Sequence, residues 1–515
     1  MSNEKEYIVV VNRGVDLTEF DQEMSSEYGD SSAIPSRAIE VANARPGSKR
    51  MTHWMLSDDE AQQLLNDERV LSVEIPPDQR NDIQIGIKAT QTSDFTKPSA
   101  LDSDKVNWGL RRCIEATNIY SDGTTASNEY PYALDGTGVD VVIQDSGLQV
   151  DHPEFVGRVQ QIDWYTESGL SGSQNVNHYR DFDGHGTHCA GIAAGKTYGW
   201  AKNANVYSQK LAGLEAPSDP NSGIPISDAF DAIRLWHAAK TNGRPTIVNM
   251  SWGYSASVGG SPTGGNYRGT GWTWGVDYTA NLALWQATGI VIPISGASRI
   301  IPVRVPSVDA EIEDMIDAGI HVVIAAGNDY YKGDVIGGVD YDNTIVYGGS
   351  TYYYHRGSSP HSDEAIIVGN SDSVAQQSGA NFLDKTSNSS SRGPRLTCYA
   401  PGTNIISTCS TTSIYATGDY TPDTNYKIAL INGTSMAAPQ VAGVIAQYLT
   451  VQPTLSPKNV KDKISNESKP TLFSTGSDSD YSEFGTSLLG APNKFLYSKY
   501  GRQPYNISGG VTITK

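Results

Sequence analysis

Val139-Asp140-Val141-Val142-Ile143-Gln144-Asp145-Ser146-Gly147 is an apolar, β-branched run that stops on an acid and a glycine, and the reading of the chain starts from it. Runs of this composition form buried strands, and the Asp-Ser-Gly that follows is a strand-to-loop turn. Working outward, strand and helix patterns alternate. A helix is expected over about Thr187–Ala194, a strand over Val206–Leu211, a helix over Ser227–Lys240 and a strand over Thr246–Met250. The alternation resumes with a helix over Val308–Ala318, strands over His321–Ala325 and Glu364–Gly369, and a small-residue helix opening near Ser435. Such alternation predicts an α/β fold, a mainly parallel sheet with helices on both faces, whose functional side chains gather at the carboxyl ends of strands.

The first hundred residues read differently. An apolar run at Glu6–Asn12, the helically spaced Leu17, Phe20 and Met24, a strand at Met51–Leu56, and Ser57 as N-cap of an acidic helix start describe a small α+β module over about residues 1–80. Pro76 to Asp104 is polar and rich in breakers, which predicts a linker at 81–104. A catalytic-sized domain then spans 105–500, followed by a short tail at 501–515.

Composition excludes several functions. With 38 Lys+Arg against 57 Asp+Glu the net charge is −19, and no segment gathers enough basic residues to track phosphates, so nucleic acid is excluded as a partner. The longest apolar runs, Ile8–Val11 and His321–Ala326, are far short of the roughly 18 residues a membrane helix needs, so no membrane association is expected. The acidic start, Met-Ser-Asn-Glu-Lys-Glu-Tyr, lacks the basic and apolar regions of a secretory signal, which favours an intracellular or particle-associated location over classical secretion. Cys113, Cys189, Cys398 and Cys409 are too few for a disulfide scaffold and lack metal-binding spacing; a Cys398–Cys409 pair is left open.

Three strand ends and helix starts carry chemistry. Asp145 closes the opening strand. His185 sits between glycines in Asp-Gly-His185-Gly-Thr-His188-Cys189, just before a helix. Ser435 opens a helix in Asn432-Gly-Thr-Ser435-Met-Ala-Ala-Pro, where the helix dipole favours negative charge. His185 and His188 are three apart, as metal ligands can be, but no third ligand stands at a suitable spacing. The order Asp…His…Ser on one α/β domain instead points to nucleophilic catalysis: His185 takes the hydroxyl proton of Ser435, and Asp145 orients the imidazole. Asn328, after the strand ending Ile324-Ala-Ala-Gly, and the Ser435 backbone N–H would hold the oxyanion.

The segments around Asp145, His185, Asn328 and Ser435 resemble the four signatures of the subtilisin-like serine proteases. They are most similar to the proteinase K group, which the chain also resembles at Trp108-Gly-Leu, His152-Pro-Glu-Phe-Val-Gly-Arg and Thr197-Tyr-Gly-Trp-Ala-Lys. The resemblance implies a serine endopeptidase acting on polypeptides and needing no cofactor for its chemistry. It implies that the first module is a ferredoxin-like pro-domain, an intramolecular inhibitor removed by cleavage in the linker, and that Ser251, Trp252 and Gly253 line the substrate cleft. It also places Cys189 as a buried thiol near the triad. Structural calcium is common in the family, but Thr397 stands where an Asp ligand is expected, leaving Asp363 and Glu364 as compensating candidates. Two inserts, near 254–305 and 329–359, depart from the family pattern; the second holds seven tyrosines between Tyr330 and Tyr354, read as a packed flap in preference to a contact surface for a partner. These departures motivate the alternative of a subtilisin-like structural or interaction component, such as part of a virus particle.

Overall fold

The computed structural model describes residues 4–26, 35–43, 48–76, 88–121, 128–212, 214, 222–258, 262–274, 299–474 and 487–501. They fall into two compact units, one within Met1–Gly86 and the other within Ile87–Gln503.

The first unit runs β1 (Lys5–Val11), α1 (Leu17–Met24), β2 (Val41–Asn43), β3 (Met51–Leu56), α2 (Asp58–Leu64), β4 (Val70–Glu74). Its antiparallel sheet has the order β2-β3-β1-β4, the ferredoxin-like plan of a split βαβ pair. Alternate residues of β1 (Val9 and Val11) pack on Phe20, Met24, Trp54 and Leu64. Ser57 caps α2 in a capping box with Glu60.

The second unit starts earlier than its composition suggests. Part of the expected linker is folded: β5 (Ala89–Thr92) pairs antiparallel with β6 (Glu129–Tyr132), and Phe95 and Lys97 are buried. Breaker-rich composition misleads here because this strand lies at an edge, where polar residues are tolerated. Residues 81–87 and most of the 501–515 tail lie outside the described residues.

The main sheet contains β7 (Asp140–Asp145), β8 (Val159–Gln160), β9 (Asn205–Lys210), β10 (Thr246–Met250), β15 (His321–Ala325), β18 (Ile366–Ser371) and β19 (Cys398–Pro401). Every pairing is parallel, in the order β19-β18-β15-β10-β7-β9-β8. Side chains alternate between two cores. Val141 and Ile143 face the core shared by α3 (His185–Ala194) and α6 (Thr434–Val451), while Val142 faces the core of α4 (Ile226–Ala239) and α5 (Pro306–Asp317). Each such buried aliphatic side chain stabilises the fold by about 1.5–3 kcal/mol. The Ala- and Gly-rich faces of α3 and α6 let the helices approach closely; a Cβ on Gly443 would lie 2.5 Å from that of Trp200.

The two inserts form one module. From the first come β11 (Ser255–Val258), β12 (Gly264–Tyr267), β13 (Thr270–Thr273) and β14 (Arg299–Pro302); from the second come β16 (Thr344–Tyr347) and β17 (Ser350–Tyr352). β12 pairs with β16, joining them in the sheet β13-β12-β16-β17. Val258, Trp272, Ile301, Tyr331, Ile345 and Tyr354 make its own small core. The packed-flap reading fits Tyr331 and Tyr354, which are buried here. Residues 259–261 and 275–298 of the first insert lie outside the described residues. No described helix is long and apolar enough to cross a membrane.

Candidate active site

Three helix or strand termini converge at the carboxyl edge of the main sheet. Asp145 is the last residue of β7 and is buried. Its Oδ1 accepts the Ser146 N–H at 2.7 Å and lies 2.8 Å from His185 Nδ1. Gly147 has φ +120°, and a Cβ there would stand 2.6 Å from the Arg180 carbonyl oxygen, so only glycine permits the turn. His185 is the first residue of α3, preceded by Gly184 at φ +95°, which offers no side-chain cap.

The missing cap comes from Asp181, which the sequence reading passed over. Its Oδ1 accepts the Gly184 N–H at 2.7 Å and the Ser146 hydroxyl at 2.9 Å; its Oδ2 accepts the Thr187 N–H at 2.8 Å and hydroxyl at 2.6 Å. Ser146 Oγ in turn accepts the Gly186 N–H at 2.9 Å. One buried carboxylate thus locks the Asp145 turn to the His185 helix start, where free N–H groups and the dipole favour an anion. Burial raises the Asp181 pKa, against the hydrogen bonds from Thr187 and Gly184. The signal was an acid four residues before His185, legible only once the turn is known.

Burial disfavours charging His185, but the facing Asp145 carboxylate and the neighbouring Cys189 outweigh it and hold the imidazole pKa well above 6.5. Nearby Cys189 is buried, its Sγ 3.9 Å from His185 Nδ1 and 3.4 Å from the Ser435 carbonyl oxygen. His188 points elsewhere. Its Nε2 lies 3.1 Å from the Ala429 carbonyl oxygen and 3.2 Å from that of Ile405, and burial pushes its pKa down to about 3. The two histidines therefore do not share a metal. Among the described residues Asp145, His185 and Cys189 are the one trio whose donor atoms lie within 4.8 Å of each other, and two of those atoms already bond each other.

Ser435 is the second residue of α6. Its Oγ donates to the Ser251 carbonyl at 3.0 Å, and no bond from it to His185 is among the described hydrogen bonds. Asn328 follows β15 by three residues. Its Oδ1 accepts the Thr434 N–H at 2.9 Å and hydroxyl at 3.0 Å. Because a backbone N–H can only donate, this fixes the amide orientation and leaves Nδ2 as the free donor. Gly433, at φ +151°, passes close by; a Cβ there would crowd Asn328 Nδ2 at 3.3 Å.

Ser251, Trp252 and Gly253 leave the end of β10 beside Ser435. The Tyr254 N–H donates to the Ser359 carbonyl at 2.9 Å, and the Tyr254 carbonyl accepts the Val303 N–H at 3.1 Å, so the inserts are stitched to one edge of this segment. The Gly253 N–H and carbonyl make none of the described backbone hydrogen bonds. Trp252 packs against Phe230 and Tyr254.

Asp363 and Glu364, the candidates for compensating a calcium site, join no group of three metal-ligating His, Cys, Asp or Glu side chains among the described residues. Thr397 Oγ1 accepts the Ile367 N–H at 3.2 Å, the Asp363 carboxylate is held by His361 at 3.3 Å, and the Lys461 ammonium donates to the Asp363 carbonyl. All four cysteines are free and buried, so Cys398 and Cys409 are not bridged; they sit on separate strands, in β19 and at the end of Ile405–Cys409.

The chain is 28% identical over 387 residues to a subtilisin-like serine protease of Penicillium citrinum, covering 73% of this chain and 64% of that one. It is 29% identical over 413 residues to another of Cochliobolus lunatus, covering 79% and 62%. The chain therefore spans a little under two thirds of the length of these relatives. The crystal structure of a cold-adapted subtilisin-like serine proteinase superposes with a TM-score of 0.47 at 21% identity, covering 76% of this chain and 98% of that one. The model of the subtilase family matches residues 136–486, more than half of the chain, and the chain belongs to that family.

Proposed function

We propose that the chain is a serine endopeptidase made as a zymogen, with Ser435 as nucleophile, His185 as general base and acid, and Asp145 as the group that orients and stabilises the imidazolium. The observation that carries this reading is the 2.8 Å Asp145–His185 contact beside a helix that opens on Ser435, with the Asn328 donor turned free by Thr434. An extended polypeptide substrate pairs with the open edge at Gly253. As its carbonyl approaches, the Ser435 hydroxyl leaves the Ser251 carbonyl, passes its proton to His185 Nε2 and bonds to the carbonyl carbon. Negative charge develops on the substrate oxygen, where Asn328 Nδ2 and the Ser435 N–H stabilise it. His185 returns the proton to the leaving amine, and water, activated by the same imidazole, hydrolyses the acyl-enzyme. No step calls for a cofactor.

The compact ferredoxin-like unit preceding Ile87 supports the second half of the proposal, that it acts as an intramolecular inhibitor removed on maturation. A fluorophosphonate probe tests the whole reading: it should label Ser435 in the processed protein, which should also cleave casein. A folded, processed protein that does neither rejects the proposal.

A further inference from the structure

Arg395 is a buried arginine, 7% exposed, without a carboxylate partner among the described ion pairs. Taking a guanidinium out of water is costly unless its donors find acceptors. Here both Nη groups meet backbone carbonyls, Nη2 donating to Ala326 at 3.0 Å and Nη1 to Arg356 at 3.3 Å, while the buried Nε has no partner among the described residues. Ala326 ends the main-sheet ladder, its own N–H donating to the Val368 carbonyl at 3.0 Å. Two residues later comes Asn328.

The next polar groups of this short segment are held by α6 and by the loop that precedes Arg395. The Gly327 N–H donates to Thr434 Oγ1 at 3.2 Å, and the Gly327 carbonyl accepts the Ser391 N–H at 2.9 Å. The Ala326 carbonyl is held by Arg395, from between the roots of the second insert. Arg395 reaches it between Gly333 and Gly357, where a Cβ on either glycine would overlap the arginine side chain. Its own N–H donates to the Gly333 carbonyl at 3.3 Å. The two roots of the second insert thus close around this one side chain, which ends on the strand that delivers Asn328.

We propose that Arg395 is a positioning residue for the oxyanion donor, coupling the packing of the second insert to the placement of Asn328. The inference rests on the peptidase reading for its kinetic consequences, but the placement itself can be measured without activity.

In a Ser435→Ala background, which removes self-cleavage, Arg395→Met should raise amide hydrogen exchange in a peptide covering 321–332 by tenfold or more, while a peptide covering 246–253 changes less than twofold. Arg395→Lys, which keeps the charge but reaches one carbonyl instead of two, should fall between. Unchanged exchange at 321–332, or equal rises in both peptides, overturns the proposal whether or not the protein is a peptidase. In the active protein, Arg395→Met should lower kcat on the order of tenfold with KM within twofold, since small misplacement of a preorganised donor acts on the transition state. Added to Asn328→Ala it should cost nothing further. The same loss in both backgrounds, or a rise in KM alone, would show that Arg395 does not act through Asn328.

Discussion

Ser435 and Ser251 exchange hydrogen bonds: the Ser435 hydroxyl donates to the Ser251 carbonyl at 3.0 Å, and the Ser251 hydroxyl donates to the Ser435 carbonyl at 2.9 Å. The Ser251 hydroxyl is itself aimed by the Asn249 amide at 2.9 Å. The end of β10 and the start of α6 are thus fastened at the point where chemistry is proposed. Ser251→Ala removes one half of the exchange and leaves the Ser435 carbonyl with the weak Cys189 thiol donor. A destabilisation of about 1–2 kcal/mol is expected, with kcat/KM falling less than tenfold, because the Ser251 hydroxyl touches no reacting atom. Denaturant melts and steady-state kinetics check both. A thousandfold loss would mean that Ser251 takes part in the chemistry.

For His185 as the proposed base, its raised pKa predicts the pH profile. The base works only when neutral, so kcat/KM should rise with pH through an ionisation above the ordinary imidazole value of 6.5. Asp145→Asn removes the largest influence that raises this pKa, so burial, which lowers it, weighs more heavily. The acid limb should then move to lower pH while the rate drops by about 10⁴ from loss of the correct tautomer. A profile of fluorogenic peptide hydrolysis shows the sign: a limb that moves up, or stays, contradicts the assignment.

Asp181→Asn puts an amide NH2 in place of one carboxylate oxygen, facing a backbone N–H that can only donate, that of Gly184 or that of Thr187. At least one buried donor loses its acceptor, at about 1–3 kcal/mol. The expected result is a lower melting temperature together with a reduced kcat, since the same carboxylate sets the His185 helix start. An unchanged kcat would confine Asp181 to stability.

The mature N-terminus should lie at or before Lys88. The Lys88 N–H donates to the Tyr132 carbonyl at 2.9 Å, and β5 pairs with β6 from Ala89 to Thr92. Gln91 Oε1 also accepts the Lys202 ammonium at 2.8 Å, which Lys196 and Gly199 carbonyls hold as well. A cut after Thr92 would strip this strand and leave that buried ammonium short of an acceptor. Intact mass of the processed protein locates the cut, and Ser435→Ala should keep all 515 residues if processing is autocatalytic.

All four thiols should react with a disulfide reagent after denaturation without reductant, and almost none in the native protein, because every cysteine is free and buried. Two missing thiols would restore the Cys398–Cys409 bridge.

Local chemistry made much of this protein legible in its residues. Continuous apolar, β-branched runs such as Val141–Ile143, glycines flanking His185 and the small-residue helix after Ser435 each demand a particular backbone, so the parallel α/β plan and the positions of Asp145, His185, Asn328 and Ser435 could be read in one dimension. The insert module could not be read this way. β12 and β16 are paired by residues about eighty positions apart, as in Gly265↔Ile345, and strand pairing at that separation depends on chain closure and shared burial rather than on any local signal. Asp181 and Arg395 escaped for the same reason. Each is an ordinary loop residue until folding removes water from it and surrounds it with donors or carbonyls belonging to distant segments. Residue type decided what chemistry was available, whereas burial and partner choice, which exist only in the folded chain, decided which acid caps the His185 helix, where Ser435 rests and what holds Asn328.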